Sequence, residues 1–505
     1  MGLKERFYAH ITALHPEVTG SCFFVDVCYP NERRTKFLVD CGLFQEKEYN
    51  ELNKIDFPFS SEKVEFVLIT HNHADHIGKL PMLCKYGFNG KIYTTKSTAK
   101  LMNASLNNSY KIMKEDAQRQ KSKPIYGEED IERIFENLVT CNLGESIQIN
   151  SNIKITYFDN GHIIGAGVIL VQISYQGEDD INLLFTGDYK PTNVFKKVQP
   201  IPDWVYNLPI NVVIESTYGD TNTYEIEYNF ETDVESILRK DNSLFVPVLA
   251  QGRAQEILFM LKQMQDDERI SKKIPIYLDG NLAHQYTHIY RSGELEIDED
   301  KLDFLPENFH WVDKGNRANL MASSEQRIVL TTSGMLDHGP AQLYLPYIVS
   351  KRNCSIFLTS YCSENTLGRK FLEYQPGTSV KIDDKEMVVE AQIFSTNQFS
   401  LHAKADELMM FLCKFKNLKL VLVNHGEKET KQKFAERVSS TNVAKRVEVL
   451  GEYTIKLSHY GFIKAMGSKL YRTVNEEHRK EKKRSKKKKH TYRKLVCRRK
   501  GACKN

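Results

Sequence analysis

At 505 residues, with 41% apolar and 27% charged side chains, the chain has the composition of an ordinary folded protein and length for two or more domains. No apolar run approaches the roughly 20 residues that a membrane-spanning helix needs, and the opening MGLKERFYAHITAL lacks a signal-peptide core; a cytoplasmic protein is expected, or a nuclear one in a eukaryotic host. The net charge of +5 conceals an asymmetry: 15 of the 70 Lys/Arg and one of the 65 Asp/Glu lie in residues 479–505, so residues 1–478 hold 55 basic against 64 acidic side chains.

The first half reads as short strands separated by polar breakers: FFVDVCY, TKFLVDCG, VEFVLITH, KIYTT, IKITYFD, GVILVQISY, INLLFTGDY and NVVIEST. These have strand length and are rich in β-branched and aromatic residues. A polar, helix-permissive stretch, residues 97–138, separates KIYTT from IKITYFD. Further on, longer helical patterns alternate with strands. FETDVESILRK precedes SLFVPVL, and RAQEILFMLKQMQ precedes IPIYLDG. RIVLTTSG, CSIFLTSY and LKLVLVNHG read as more buried strands, so an α/β architecture is expected.

The ten cysteines include no C-x-x-C pair, which argues against a zinc ribbon or a thioredoxin motif. Reduced packing thiols are the expectation. The end of the chain, HRKEKKRSKKKKHTYRKLVCRRKGACKN, is almost free of apolar residues before Leu495. That composition predicts a tail, residues 472–505, that is disordered when unbound. Its cations suit a polyanion such as RNA, and KKRSKKKK also resembles a nuclear import signal.

The strongest chemical signal is HNHADH, residues 71–76, which directly follows the apolar VEFVLIT. His71 and His73, at i and i+2, project to one side of an extended segment, and Asp75 and His76 follow. A strand ending at Thr70 delivers this loop to a sheet's C-terminal edge, where α/β folds bind ligands. Imidazole with carboxylate suits Zn²⁺ or Mn²⁺. Other candidates also sit at strand ends: His162 in DNGHIIGAG, Asp188 in LLFTGDY and His425 in LVLVNHGE, with His402 in FSLHAKADEL. One such histidine alone is more simply a hydrogen-bonded residue. Their joint placement with the hexapeptide favours a metal site. Asn72, between the first two histidines, reads as a spectator.

HNHADHIGKLP resembles the signature of the metallo-β-lactamase fold, and LVDCGLFQ, DNGHIIGAG and FTGDY are similar to its flanking motifs. IESTYGD, PVLAQGRAQEIL, TTSGMLDHGPAQ, SYCSENTLGR, FSLHAKADEL and VNHGE resemble the β-CASP branch, nucleases of the ribonuclease J and mRNA cleavage-factor type. The resemblance implies an αββα sandwich, residues 1–218, interrupted by an α/β β-CASP domain, residues 219–395, and closed by residues 396–465. It makes His71, His73 and His162 ligands of one zinc, and Asp75, His76 and His425 ligands of a second, with Asp188 bridging. It gives Asp40 the task of orienting the loop and its histidines, and it has Glu215 hydrogen-bond His402. A strand-end carboxylate satisfied by local amides remains an alternative for Glu215.

Two metals about 3.5–4 Å apart lower the pKa of water to about 7, so a bridging hydroxide is the expected nucleophile on phosphorus. His402 fits as the general acid for the departing 3′ oxygen, or as a donor to the phosphate. The implied products carry a 5′-phosphate and a 3′-hydroxyl. Histidine at position 425 favours RNA over DNA, as the resemblance has it. Arg253 and Arg369 suit a phosphate clamp or an ordinary ion pair. Ser333 and Gly334 suit a phosphate cradle or a plain tight turn. A homodimer is open, and so is endo- against exonucleolytic cleavage. The rivals are a DNA nuclease of the same family and a small-ester hydrolase of the same fold.

Overall fold

Alternating side chains sort the strands of the first half into two facing sheets. In strand Phe23–Cys28, Phe23, Val25 and Val27 enter one core while Phe24 faces the other way. In strand Ile153–Asp159, Ile153, Ile155 and Tyr157 enter that same core and Phe158 turns outward. This is the period of two that a pleated strand imposes. The computed structural model describes residues 7–15, 18–45, 49–360, 362, 366–374, 377–382, 385–451, 453–458 and 461–466. The expected tail, 472–505, lies outside the described residues.

The first sheet has eight strands in the order Gly461–Met466, Tyr453–Ser458, Tyr8–Ala13, Phe23–Cys28, Arg34–Val39, Phe66–Leu68, Lys91–Thr95 and Leu138–Cys141. The second has seven: Arg446–Val449, Leu418–Val423, Ile210–Ile214, Ile181–Phe185, Gly167–Ile173, Ile153–Asp159 and Ser146–Asn150. Helices Leu80–Lys85, Lys96–Arg119 and Glu128–Glu136 cover the outer face of the first sheet. Helices Asp203–Tyr206, Ala405–Leu412 and Lys428–Ser440 cover that of the second. The layers are therefore α, β, β, α.

After Ile210–Ile214 the chain leaves the sandwich and builds a third sheet. Its six strands, in the order Phe309–Val312, Ile276–Asp279, Ile328–Thr331, Ser243–Pro247, Cys354–Leu358 and Gln392–Ser395, are all parallel. Helices cover both faces, as an all-parallel sheet requires. The chain then re-enters the second sheet as Leu418–Val423, the parallel neighbour of Ile210–Ile214. Among the described residues, eight cysteines are free thiols. No helix among them is long and apolar enough to cross a membrane.

Candidate metal centre

Strands that run in one direction deliver their C-terminal ends to one edge of the sandwich. Asp40 follows Arg34–Val39, the HNHADH loop follows Phe66–Leu68, and His162 follows Ile153–Asp159. Asp188 follows Ile181–Phe185, Glu215 follows Ile210–Ile214, and His425 follows Leu418–Val423. The short helix Ala74–Ile77 turns Asp75 and His76 back toward the same point.

Asp188 organises the centre. Its Oδ2 lies 3.6 Å from His71 Nε2 and 3.5 Å from His162 Nε2. Its Oδ1 lies 3.3 Å from His76 Nε2 and 3.3 Å from His425 Nε2. His73 Nδ1 completes the first group, 3.1 Å from His71 Nε2 and 3.2 Å from His162 Nε2. Asp75 Oδ2 completes the second, 3.9 Å from His76 Nε2 and 3.8 Å from His425 Nε2.

Each Nε2 is aimed by what its ring holds at Nδ1. His76 Nδ1 donates to Asp40 Oδ2 at 2.8 Å, and His162 Nδ1 donates to the Leu401 carbonyl at 2.8 Å. The Thr70 hydroxyl oxygen is 3.1 Å from His71 Nδ1, and that of Thr217 is 3.2 Å from His425 Nδ1. Such partners fix the tautomer and leave Nε2 with a free lone pair. Asp40 also accepts from Thr70 N at 2.8 Å and from the Thr70 hydroxyl, tying the loop down. Asp40 and His425 both sit at positive φ, 60° and 49°. Non-glycine residues there are uncommon and cluster at working sites.

The donor set fits a cation. His76 Nε2, Asp188 Oδ1 and His425 Nε2 are buried without a hydrogen-bond partner. Buried polar atoms are normally paired, so converging lone pairs left bare point to a positive ion. Protonation favours the same conclusion. Burial drives His71 and His162 well below the ordinary histidine value, and His73 down to about 4. Burial works against charge on Asp188, yet His425 and His76 hold its carboxyl well below the usual range. Neutral imidazoles and an ionised carboxylate are the state that binds a metal. His76 differs: burial is outweighed by Asp188 and Asp40, which raise it, and a metal would take that proton's place.

Beside the centre stands His402. Its Nδ1 is 3.0 Å from both oxygens of Glu215, and its Nε2 is 3.8 Å from Asp188 Oδ2. Glu215 also accepts from Tyr189 N at 2.6 Å and from Thr217 N at 3.2 Å, so the local amides and the histidine share it.

The remaining candidates are placed differently. Arg253 is buried, its guanidinium carbon 5.2 Å from the Phe399 ring centroid and its Nη1 3.5 Å from Glu256. Arg369 faces Glu373 one helical turn on, at 3.9 Å. Each thus lies within 4 Å of a carboxylate, while Arg253 Nε and Nη1 are buried without a hydrogen-bond partner. Gly334 packs closely, since a Cβ there would meet Ser360 Oγ at 3.0 Å. Ser333 Oγ is buried without a hydrogen-bond partner. Asn72 is no spectator: it is fully buried and pairs with Gln251, 179 residues away. Thr70, Thr217 and Gln251 are likewise supports that no motif spacing disclosed.

Comparison with known proteins agrees with this geometry. Residues 31–188 match the metallo-beta-lactamase superfamily domain, residues 254–371 the Beta-Casp domain, and residues 386–450 the Zn-dependent metallo-hydrolase RNA specificity domain. A ribonuclease of Thermus thermophilus is 31% identical over 82% of this chain and 91% of its own length. The chain belongs to the β-CASP branch of the metallo-β-lactamase family. An RNase J-like protein of Methanocaldococcus jannaschii is 29% identical over 81% of this chain and 91% of its own. Transcription termination factor FttA of the same archaeon is 29% identical over 84% of this chain. The chain spans 67% of that factor's length and 64% of its Methanococcus maripaludis counterpart's. Two of these relatives are named as ribonucleases, and the His and Asp clusters described above could each hold a metal ion.

Proposed function

We propose that this chain is a zinc-dependent ribonuclease of RNA processing or decay, hydrolysing phosphodiester bonds to leave 5′-phosphate and 3′-hydroxyl ends. The observation that carries the reading is Asp188, set between two histidine groups with one oxygen toward each. His71, His73 and His162 would hold one Zn²⁺; Asp75, His76 and His425 would hold another, with Asp188 shared, and Mn²⁺ suits the same donors. When bound, two such cations supply Lewis acidity, neutralising phosphate charge and acidifying water.

The chain's own residues handle the leaving group. His402 carries a proton at Nε2, on the side facing the centre, and gives it to the departing 3′ oxygen. Glu215 accepts a hydrogen bond from His402 Nδ1–H, which holds the ring and favours the charged imidazolium. RNA is the substrate that best accounts for the match over residues 386–450, since that segment carries both His402 and His425. The cationic tail would add salt-sensitive, sequence-independent affinity for the same polymer.

The test is metal content by mass spectrometry together with cleavage of single-stranded RNA and DNA, in wild type and in Asp75→Ala/His76→Ala. About two zinc per chain, RNA cut to 5′-phosphate ends and loss of cutting in the variant support the reading. Zinc without cleavage of either polymer would favour a small-ester hydrolase, and cleavage of DNA alone would move the substrate. A metal-free active protein would end the proposal.

A further inference from the structure

Asn72 lies between His71 and His73, yet its side chain turns away from the centre. It enters the boundary with the third-sheet domain and meets Gln251, in the loop before helix Arg253–Asp266. The two amides pair reciprocally. Asn72 Nδ2 donates to Gln251 Oε1 at 2.7 Å, and Gln251 Nε2 donates to Asn72 Oδ1 at 2.9 Å. Asn72 Nδ2 also reaches the Tyr286 hydroxyl at 3.3 Å, on helix Asn281–Arg291. Ser105 Oγ, on helix Lys96–Arg119, donates to the Asn72 carbonyl at 3.2 Å.

The surroundings make this pair specific. Leu101, Ala104 and Ile164 of the sandwich share one apolar core with Leu258, Tyr286 and Tyr290 of the third-sheet domain. Apolar contacts tolerate small slides of one surface on the other. Two amides with exposures of 0% and 4% do not, because each then loses its partner in a place water cannot reach. The pair is satisfied in this docking of the two domains. Any shift of Asn72 is carried through the backbone to His71 and His73 on either side.

We propose that Asn72 is a positioning residue through which the third-sheet domain sets the metal loop, with Gln251 as its partner across the boundary. The proposal rests on the reading that His71 and His73 hold zinc. It makes the zinc affinity of the sandwich depend on a residue of the other domain.

The experiment measures zinc affinity of the full-length protein by chelator competition, and the d–d spectrum of its cobalt-substituted form. Wild type is compared with Asn72→Ala, Gln251→Ala, the two together, and the exchange Asn72→Gln/Gln251→Asn. Residues that orient metal ligands typically contribute ten- to a hundred-fold in affinity, so each single variant should bind zinc about ten-fold more weakly and shift the cobalt bands. The double variant should be no weaker than the singles, since both remove one link. The exchange keeps the number of atoms spanning the gap and should regain most of the affinity, which general loss of packing would not allow. Wild-type affinity and spectrum in Gln251→Ala overturn the proposal whatever Asn72→Ala does, and so do additive losses. A wild-type protein that binds no zinc removes the metal reading and this proposal with it.

Discussion

His402 presents Nδ1 to Glu215 at 3.0 Å from each carboxylate oxygen. Burial alone would strip the imidazole of its proton, but Glu215 and Asp188 outweigh it and push the pKa up to about 9. A raised histidine pKa means the charged form persists through neutral pH and is lost as pH climbs past that value. In the proposed role of general acid, His402 would be charged at pH 7 and would lose its proton on the alkaline side.

Glu215→Gln removes the charge that favours the imidazolium while keeping a similar shape. The alkaline limb of the kcat profile should move to lower pH by about one unit or more. At pH 8 a fall of one unit should roughly halve the rate, and a fall of two units should lower it about ten-fold. His402→Ala should lose the limb altogether and keep its zinc. A Glu215→Gln profile that overlays the wild type would sink the assignment; the check is kcat against pH from 6 to 10.

Asp188→Asn replaces a carboxylate that serves both groups with an amide offering one good acceptor. Zinc content should drop from about two to one or fewer per chain, with cleavage lost in parallel. Mass spectrometry of the dialysed variant decides it. Retention of two ions would show that the bridge is dispensable.

Asp40→Asn isolates a different effect. Asparagine tolerates the φ of 60° at this position, so the backbone is kept while the charge that His76 Nδ1 and Thr70 share is removed. Zinc affinity should weaken about ten- to a hundred-fold, and the metal-free protein should melt somewhat lower because the buried Thr70 and His76 donors lose a carboxylate. Asp40→Ala should lose stability as well, through left-handed strain. Chelator titration and melting curves on the two variants separate these contributions.

Zinc removal should itself lower the melting temperature, because bare, converging donors are left buried without partners. Readdition of zinc should restore it, and Asp75→Ala/His76→Ala should respond much less. Phe37→Ala gives the contrast. Phe37 stacks on Phe66 at 4.7 Å between the two sheets, and its truncation should cost about 3–5 kcal/mol in urea unfolding. The folded fraction should keep its metal.

Much of this protein was legible in the residues themselves. Every strand of the first half named from its apolar pattern forms, because side chains that alternate along a strand report which face is buried, and burial is local information. The residues that cluster as candidate metal donors were legible for a related reason. Each stands just after an apolar run, and strands of common direction bring their ends to one edge whatever lies between them. Even Glu215 with His402 could be named, since both fall in motifs.

Tertiary structure decided the rest. Asn72 and Gln251 are 179 residues apart and carry no periodicity, so their pairing exists only once the two domains dock. Arg253 and Arg369 could equally meet phosphate or carboxylate as read from the sequence. Packing put Arg253 beneath the Phe399 ring and Arg369 beside Glu373. The sequence alone determined which groups could bind a cation, because that is the chemistry of side chains. The fold determined which lone pairs face inward, because Asp40, Thr70, Thr217 and the Leu401 carbonyl each claim the other nitrogen of a ring.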